Sequence, residues 1–141
     1  LIEADNSRFA HSLNGGQPEL ATCMRAAASF LEKRNLDSKS RYAAELTLEE
    51  LLTNSLKYGS PNGNNHDIRV RIDVDSIHVH ITVEDNGMPF DPTRQPSPKI
   101  PTDAKHAKVG GLGLEMIRKM TQSMHYERTG SENRIIVSID R

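Results

Sequence analysis

The chain has 141 residues, with 18 Lys and Arg against 19 Asp and Glu for a formal charge of -1. That length fits a single domain over residues 1–141 with one core, and the balanced charge supplies no overall drive toward nucleic acid or an anionic membrane. The single Cys23 excludes an internal disulfide, and no apolar run approaches the roughly 20 residues of a membrane span, so a reducing, cytoplasmic setting is expected.

In chain order, an alternating stretch from Arg8 to Leu13 reads as a short strand that Gly15-Gly16 turns. From Pro18 to Lys33, Leu20, Met24, Ala27, Ala28 and Leu31 recur at helical spacing, with Pro18 suited to a first turn. Cys23 falls in this apolar pattern and reads as core. A polar connection with capping residues covers Asn35 to Ser40, and a second helix runs from Tyr42 to Tyr58 until Gly59 stops it. Ile68, Val70, Ile72 and Val74 then alternate, as do Ile77, Val79, Ile81 and Val83, with Asp75-Ser76 between them. The two runs read as an antiparallel hairpin that pairs Val74 with Ile77, Ile72 with Val79, Val70 with Ile81 and Ile68 with Val83. On its polar face Asp73 opposes His78 and Arg71 opposes His80, and His78-x-His80 reads as an exposed pair rather than a metal site.

The same period of two turns Asp85 inward, where a carboxylate needs hydrogen-bond donors from the protein or from a ligand. Asn86-Gly87 stops the strand and permits close approach to the backbone. Asp85 therefore reads as the floor of a ligand pocket. Residues 86–109 hold five of the seven prolines and few large apolar residues. A loop of that length in a small domain fits a mobile cover over a site. Gly110-Gly111-Leu112-Gly113 leads into a third helix from Leu114 to Met124, and Tyr126 with Ile135 to Ile139 forms a closing hairpin. The expected fold is a two-layer α+β sandwich, a mainly antiparallel mixed sheet covered on one face by three helices.

Glu50, Asn54 and Lys57 share one arc of the second helix. A carboxylate, an amide and a lysine together can position a nucleophile, ligate a hard cation through the amide oxygen and meet a phosphate charge. The glycine-rich turn before the third helix can offer backbone N–H groups to the same phosphates. The order Glu50-Leu-Leu-Thr-Asn54, Asp85-Asn-Gly87 and Gly110-Gly-Leu-Gly113 resembles the N box and the two glycine boxes of the GHKL ATPases with the Bergerat fold. Within that superfamily, the small size and the endings Gly-Leu-Gly-Leu-Glu-Met-Ile, Tyr-Glu-Arg and Asn-Arg-Ile look most like the anti-sigma-factor serine kinases of the RsbW and SpoIIAB type.

The resemblance implies ATP and Mg²⁺ as cofactors, with Asp85 accepting from the adenine amino group and Gly87 admitting the base. It implies Asn54 as the Mg²⁺ ligand and Glu50 as the general base, with Glu49 the weaker candidate. Lys57, Gly110, Gly111, Gly113 and Leu114 would neighbour the nucleotide, and the loop at 86–109 would be the ATP lid. Lys105, His106 and Lys108 read as a solvated cluster on that lid. It further implies a sigma factor and a STAS-domain antagonist as partners, and a homodimer, with no direct nucleic-acid or membrane contact. Two other readings compete, a histidine kinase catalytic domain and a nucleotide-gated module that binds a partner without transferring phosphate. Glu50 stands where histidine kinases usually carry Asn, and no phosphoacceptor helix pair precedes the boxes in these residues.

Overall fold

The computed structural model describes residues 2–4, 8–14, 17–58, 66–94 and 111–141. Their elements are β1 (Ile2–Ala4), β2 (Arg8–Leu13), α1 (Gln17–Glu32), α2 (Ser38–Tyr58), β3 (Ile68–Val74), β4 (His78–Asp85), a 3-10 turn at Pro92–Arg94, α3 (Gly111–Met120), β5 (Ser123–Thr129) and β6 (Glu132–Asp140). The strands form one sheet in the order β1-β2-β3-β4-β6-β5. Every described pairing is antiparallel, so the sheet carries no parallel pair among the described residues. The short β1 lies outside the reading from periodicity, because three residues are too few to display a period.

Alternation along the strands decides the layers. Phe9, Leu13, Ile68, Ile72, Val79, Ile81, Val137 and Ile139 are buried on one face, where they join Leu31, Leu48, Leu52 and Ile117 of the three helices in one core. Cys23 is in that core, and burial pushes its thiol up to about 11, which makes it unreactive. The other face is charged. Arg69 meets Glu132 at 2.7 Å, Arg134 meets Glu84 at 3.2 Å and Arg8 meets Asp73 at 2.6 Å. These pairs are partly solvated and contribute modestly to stability.

Three boundaries differ from the periodicity reading, each for a local reason. Helix α2 begins at Ser38 because Asp37 caps it: the Asp37 carboxylate accepts the Ser40 N–H at 2.7 Å and its carbonyl accepts the Arg41 N–H at 3.0 Å. Helix α3 starts at Gly111 and stops at Met120, since the Gln122 N–H already donates to the Ser138 carbonyl at 2.8 Å and joins the sheet. Met124 thereby belongs to β5.

The β3–β4 register is two residues away from the one expected: Val74 pairs with Val79, Ile72 with Ile81, Val70 with Val83 and Ile68 with Asp85. Asp73 consequently opposes His80, and Arg71 opposes Thr82. Asp75 causes the shift. Its Oδ1 accepts the N–H groups of Ile77 at 2.8 Å and His78 at 2.6 Å, which opens the turn and leaves Ile77 64% exposed. A slip of two preserves the facing of every side chain, so Asp85 still turns inward.

Candidate functional site

Asp85 ends β4 beneath α2 and is 7% exposed. Its Oδ2 accepts the Ser55 hydroxyl at 2.8 Å, and its Oδ1 accepts the Gly87 N–H at 2.9 Å and the Asn133 amide at 2.9 Å. The buried His66 ring stands 3.7 Å from Oδ1 and 3.4 Å from the Ser55 hydroxyl. A carboxylate offers about four lone-pair positions, so with two donors on Oδ1 and one on Oδ2 a position remains on Oδ2 for a further donor.

Above this carboxylate opens a pocket of about 390 Å³, counting the space at its mouth. Leu51, Val83, Met88, Phe90 and Ile135 give it apolar walls, and Asp85, Asn54, Ser55 and Asn133 give it a polar floor. Such a shape, apolar with a few convergent polar groups, suits a flat heteroaromatic ring. The Phe90 wall is held by stacking on Tyr58, with ring centroids 4.7 Å apart. Tyr58 itself is exposed.

One turn N-terminal to Asn54, Glu50 lies half-buried against the start of α3, while Glu49 points to solvent. A Cβ placed on Gly113 would overlap the Glu50 carboxylate, so only glycine leaves this space free. Burial pushes the Glu50 carboxyl above its ordinary value, and neighbouring Glu49 adds to the shift. The Asn54 amide and Lys57 oppose it, the amide without reaching hydrogen-bond geometry. Glu50 Oε1 and Asn54 Nδ2 are both buried with no hydrogen-bond partner among the described residues. An orphaned acceptor on Glu50 beside an orphaned donor on Asn54 fits a group that brings both a donor and an acceptor, as a hydrated phosphate does.

The structure therefore brings Glu50, Asn54, Asp85, Gly87 and Gly113 to one end of the α2–β4 layer. Lys57 is exposed, with its ammonium 5.1 Å from the Tyr58 ring centre. Leu114 is buried in the core, outside the pocket wall. Gly111 is the first residue of α3. Gly110, Lys105, His106, Lys108 and most of the expected lid lie outside the described residues, which resume at Gly111 after Arg94.

Sequence reasoning missed the second ring of residues around Asp85. Asn133 sits directly opposite Asp85 in the β4–β6 register, and its amide also donates to the Met88 carbonyl at 2.8 Å while accepting the Tyr126 hydroxyl at 2.5 Å. Arg128 donates to the Gly87 carbonyl at 2.6 Å. The sequence signal for Asn133 is its place in an inward-facing alternation with Ile135, Val137 and Ile139.

Residues 17–139 match the family described as the histidine kinase-like ATPase domain. The serine/threonine-protein kinase BtrW of Bordetella bronchiseptica is 25% identical over 101 residues, which is 72% of this chain and 71% of that protein. The RsbU and RsbW domains of Rv1364c from Mycobacterium tuberculosis superpose with a TM-score of 0.64 at 12% identity, covering 95% of this chain and 33% of that longer one. The catalytic domain of the histidine kinase ThkA gives a TM-score of 0.53 at 18% identity, covering 93% of this chain and 95% of that one. At such identities the two structures share the α+β fold.

Proposed function

The chain belongs to the histidine kinase-like ATPase domain family, and on that premise we propose that it is an ATP-dependent protein serine kinase of the anti-sigma regulatory type. Its substrate would be a serine on a STAS-type antagonist, and its other partner a sigma factor. The observation that carries the reading is the pairing of a pocket floored by Asp85 with two unpartnered polar atoms on Glu50 and Asn54 at its edge. The likeness to a serine/threonine-protein kinase, and Glu50 at the position four before Asn54, favour serine over histidine as the phosphate acceptor.

In this reading the Oδ2 of Asp85 accepts the adenine amino group, and the apolar walls exclude water from the base. Asn54, through its amide oxygen, is the residue that would hold Mg²⁺. The ion supplies charge neutralisation at the phosphates when bound. Glu50 takes the proton of the attacking serine hydroxyl; its carboxyl, raised by burial, is in the ionised form a better proton acceptor than an ordinary one. Gly113 leaves the Glu50 carboxylate room against α3. The cytoplasm is the compartment where ATP and such partners meet, and it is the proposed location.

The test is a calorimetric titration with ATP, with and without Mg²⁺, followed by transfer of labelled phosphate to a serine-bearing STAS domain. Mg²⁺-dependent binding and an acid-stable phosphoprotein are expected. An acid-labile product would mark a phosphohistidine and the histidine kinase alternative. Binding without any transfer would mark the nucleotide-gated module, and no binding at millimolar ATP would overturn the nucleotide site itself.

A further inference from the structure

At the far end of β4 from Asp85, the β3–β4 turn assembles a second constellation. Asp75, His78 and His80 each offer a ligand atom, and these atoms lie within 4.8 Å of one another. The sequence placed the two imidazoles on one face; the Asp75-capped turn adds the carboxylate. The Oδ1 of Asp75 is occupied by the Ile77 and His78 N–H groups, which leaves Oδ2 free to face the His80 Nε2 at 3.3 Å. The His78 Nε2 in turn stands 3.5 Å from the Asp140 Oδ1.

The Asp75–His80 separation bears on two interpretations. A charge-assisted hydrogen bond brings nitrogen and oxygen to about 2.7–2.9 Å. Two ligands bound at about 2.0–2.1 Å to a tetrahedral zinc stand roughly 3.3–3.4 Å apart. The Asp75–His80 contact, at 3.3 Å, falls near the second spacing. The other nitrogen of His80, Nδ1, lies 2.8 Å from the Ser138 hydroxyl. The Ser138 hydroxyl can accept from Nδ1 when a cation takes the Nε2 lone pair, which is how metal-binding histidines are ordinarily held. The histidines are half-buried and Asp75 is exposed, so a cation has access from solvent. Arg141, the nearby cation, is bonded to the carbonyls of Asp75 and Arg34 at 2.7 Å each.

We propose that Asp75, His78 and His80 bind a divalent first-row transition metal of the zinc class, with solvent as the fourth ligand. Two imidazoles and a carboxylate suit Zn²⁺, Co²⁺ or Ni²⁺ and do not suit Mg²⁺. Seven residues of extended strand separate His78 from Asp85, roughly 23 Å at 3.3 Å each, so this cation takes no part in chemistry at the pocket. Its effect is to fasten the β3–β4 turn.

The test is titration of the tag-free full chain with ZnCl₂ by calorimetry, and with CoCl₂ by visible absorption. One equivalent of saturable Zn²⁺ binding is expected, with the intense visible bands of four-coordinate Co²⁺. H80Q and H78Q should each weaken binding at least about tenfold, and S138A, which removes only the group orienting His80, by about tenfold. H125Q alters an exposed histidine on the same sheet face and should leave binding unchanged. The side chains replaced are outside the core, and far-UV circular dichroism of each variant verifies the fold. Absence of saturable binding in the micromolar range, binding that survives H80Q, or an equal loss in H125Q would overturn the site.

Discussion

Replacing Asp85 by asparagine separates the structural work of this carboxylate from its proposed recognition of adenine. Oδ1 takes two donors, from Gly87 and Asn133, so the asparagine oxygen must stay there and the new NH₂ group must occupy the place of Oδ2. The Ser55 hydroxyl can reverse to accept from that NH₂ and donate to the His66 Nε2 instead, 3.4 Å away. Three bonds to a charged acceptor become bonds to a neutral amide, about 1 kcal/mol weaker each. The amide is less costly to bury than the carboxylate, so a net loss of about 1–2 kcal/mol is expected. At this chain length the loss lowers Tm by roughly 4 °C per kcal/mol. ATP binding should suffer more. The lone pair facing the base becomes a donor facing the adenine amino donor, which costs about 2–4 kcal/mol and weakens binding by roughly 30- to 1000-fold. Calorimetric titration of wild type and D85N with Mg²⁺-ATP measures the ratio, and urea denaturation measures the stability. An affinity within about threefold of wild type, in a variant that is folded, would refute Asp85 as the base acceptor.

The other predictions concern the surroundings of the pocket. Glu50→Gln should retain ATP binding and lower phosphotransfer by about 100-fold or more, measured with labelled ATP. Because burial raises the folded carboxyl above its unfolded value, the ionised form weakens the fold: the effect is absent below the unfolded value and develops as pH rises through the folded one. E50Q should therefore be more stable than wild type at neutral pH and equal to it in acid, which paired urea titrations at the two pH values would detect. Gly113→Ala should leave stability within about 1 kcal/mol, since the added helix preference offsets the displacement of a flexible side chain, yet lower kcat by about 100-fold because Glu50 must move. Asn133→Ala removes one acceptor and two donor contacts and should cost about 2–3 kcal/mol by urea denaturation, leaving the Met88 carbonyl and Tyr126 hydroxyl to find water.

Periodicity and turn chemistry determined much of this protein without reference to contacts at a distance. The apolar spacing of Leu20 to Leu31 and the alternation at Ile68–Val74 and Val79–Asp85 set the helices, the strands and the inward facing of Asp85, because side-chain direction follows from backbone period alone. The spacing of Glu50 and Asn54 likewise placed both on one helix face. What periodicity leaves open is register and closure. Any slip of an even number of residues buries the same face, so the choice between pairing Val74 with Ile77 or with Val79 fell to the hydrogen bonds of Asp75. That choice also assembled Asp75, His78 and His80. In the same way Asn133 and Ser55 reach Asp85 across 48 and 30 residues of chain, and the contact between Glu50 and Gly113 exists because α2 and α3 pack together. Such encounters depend on how separate elements dock in three dimensions, and a local pattern of residues carries no term for that docking.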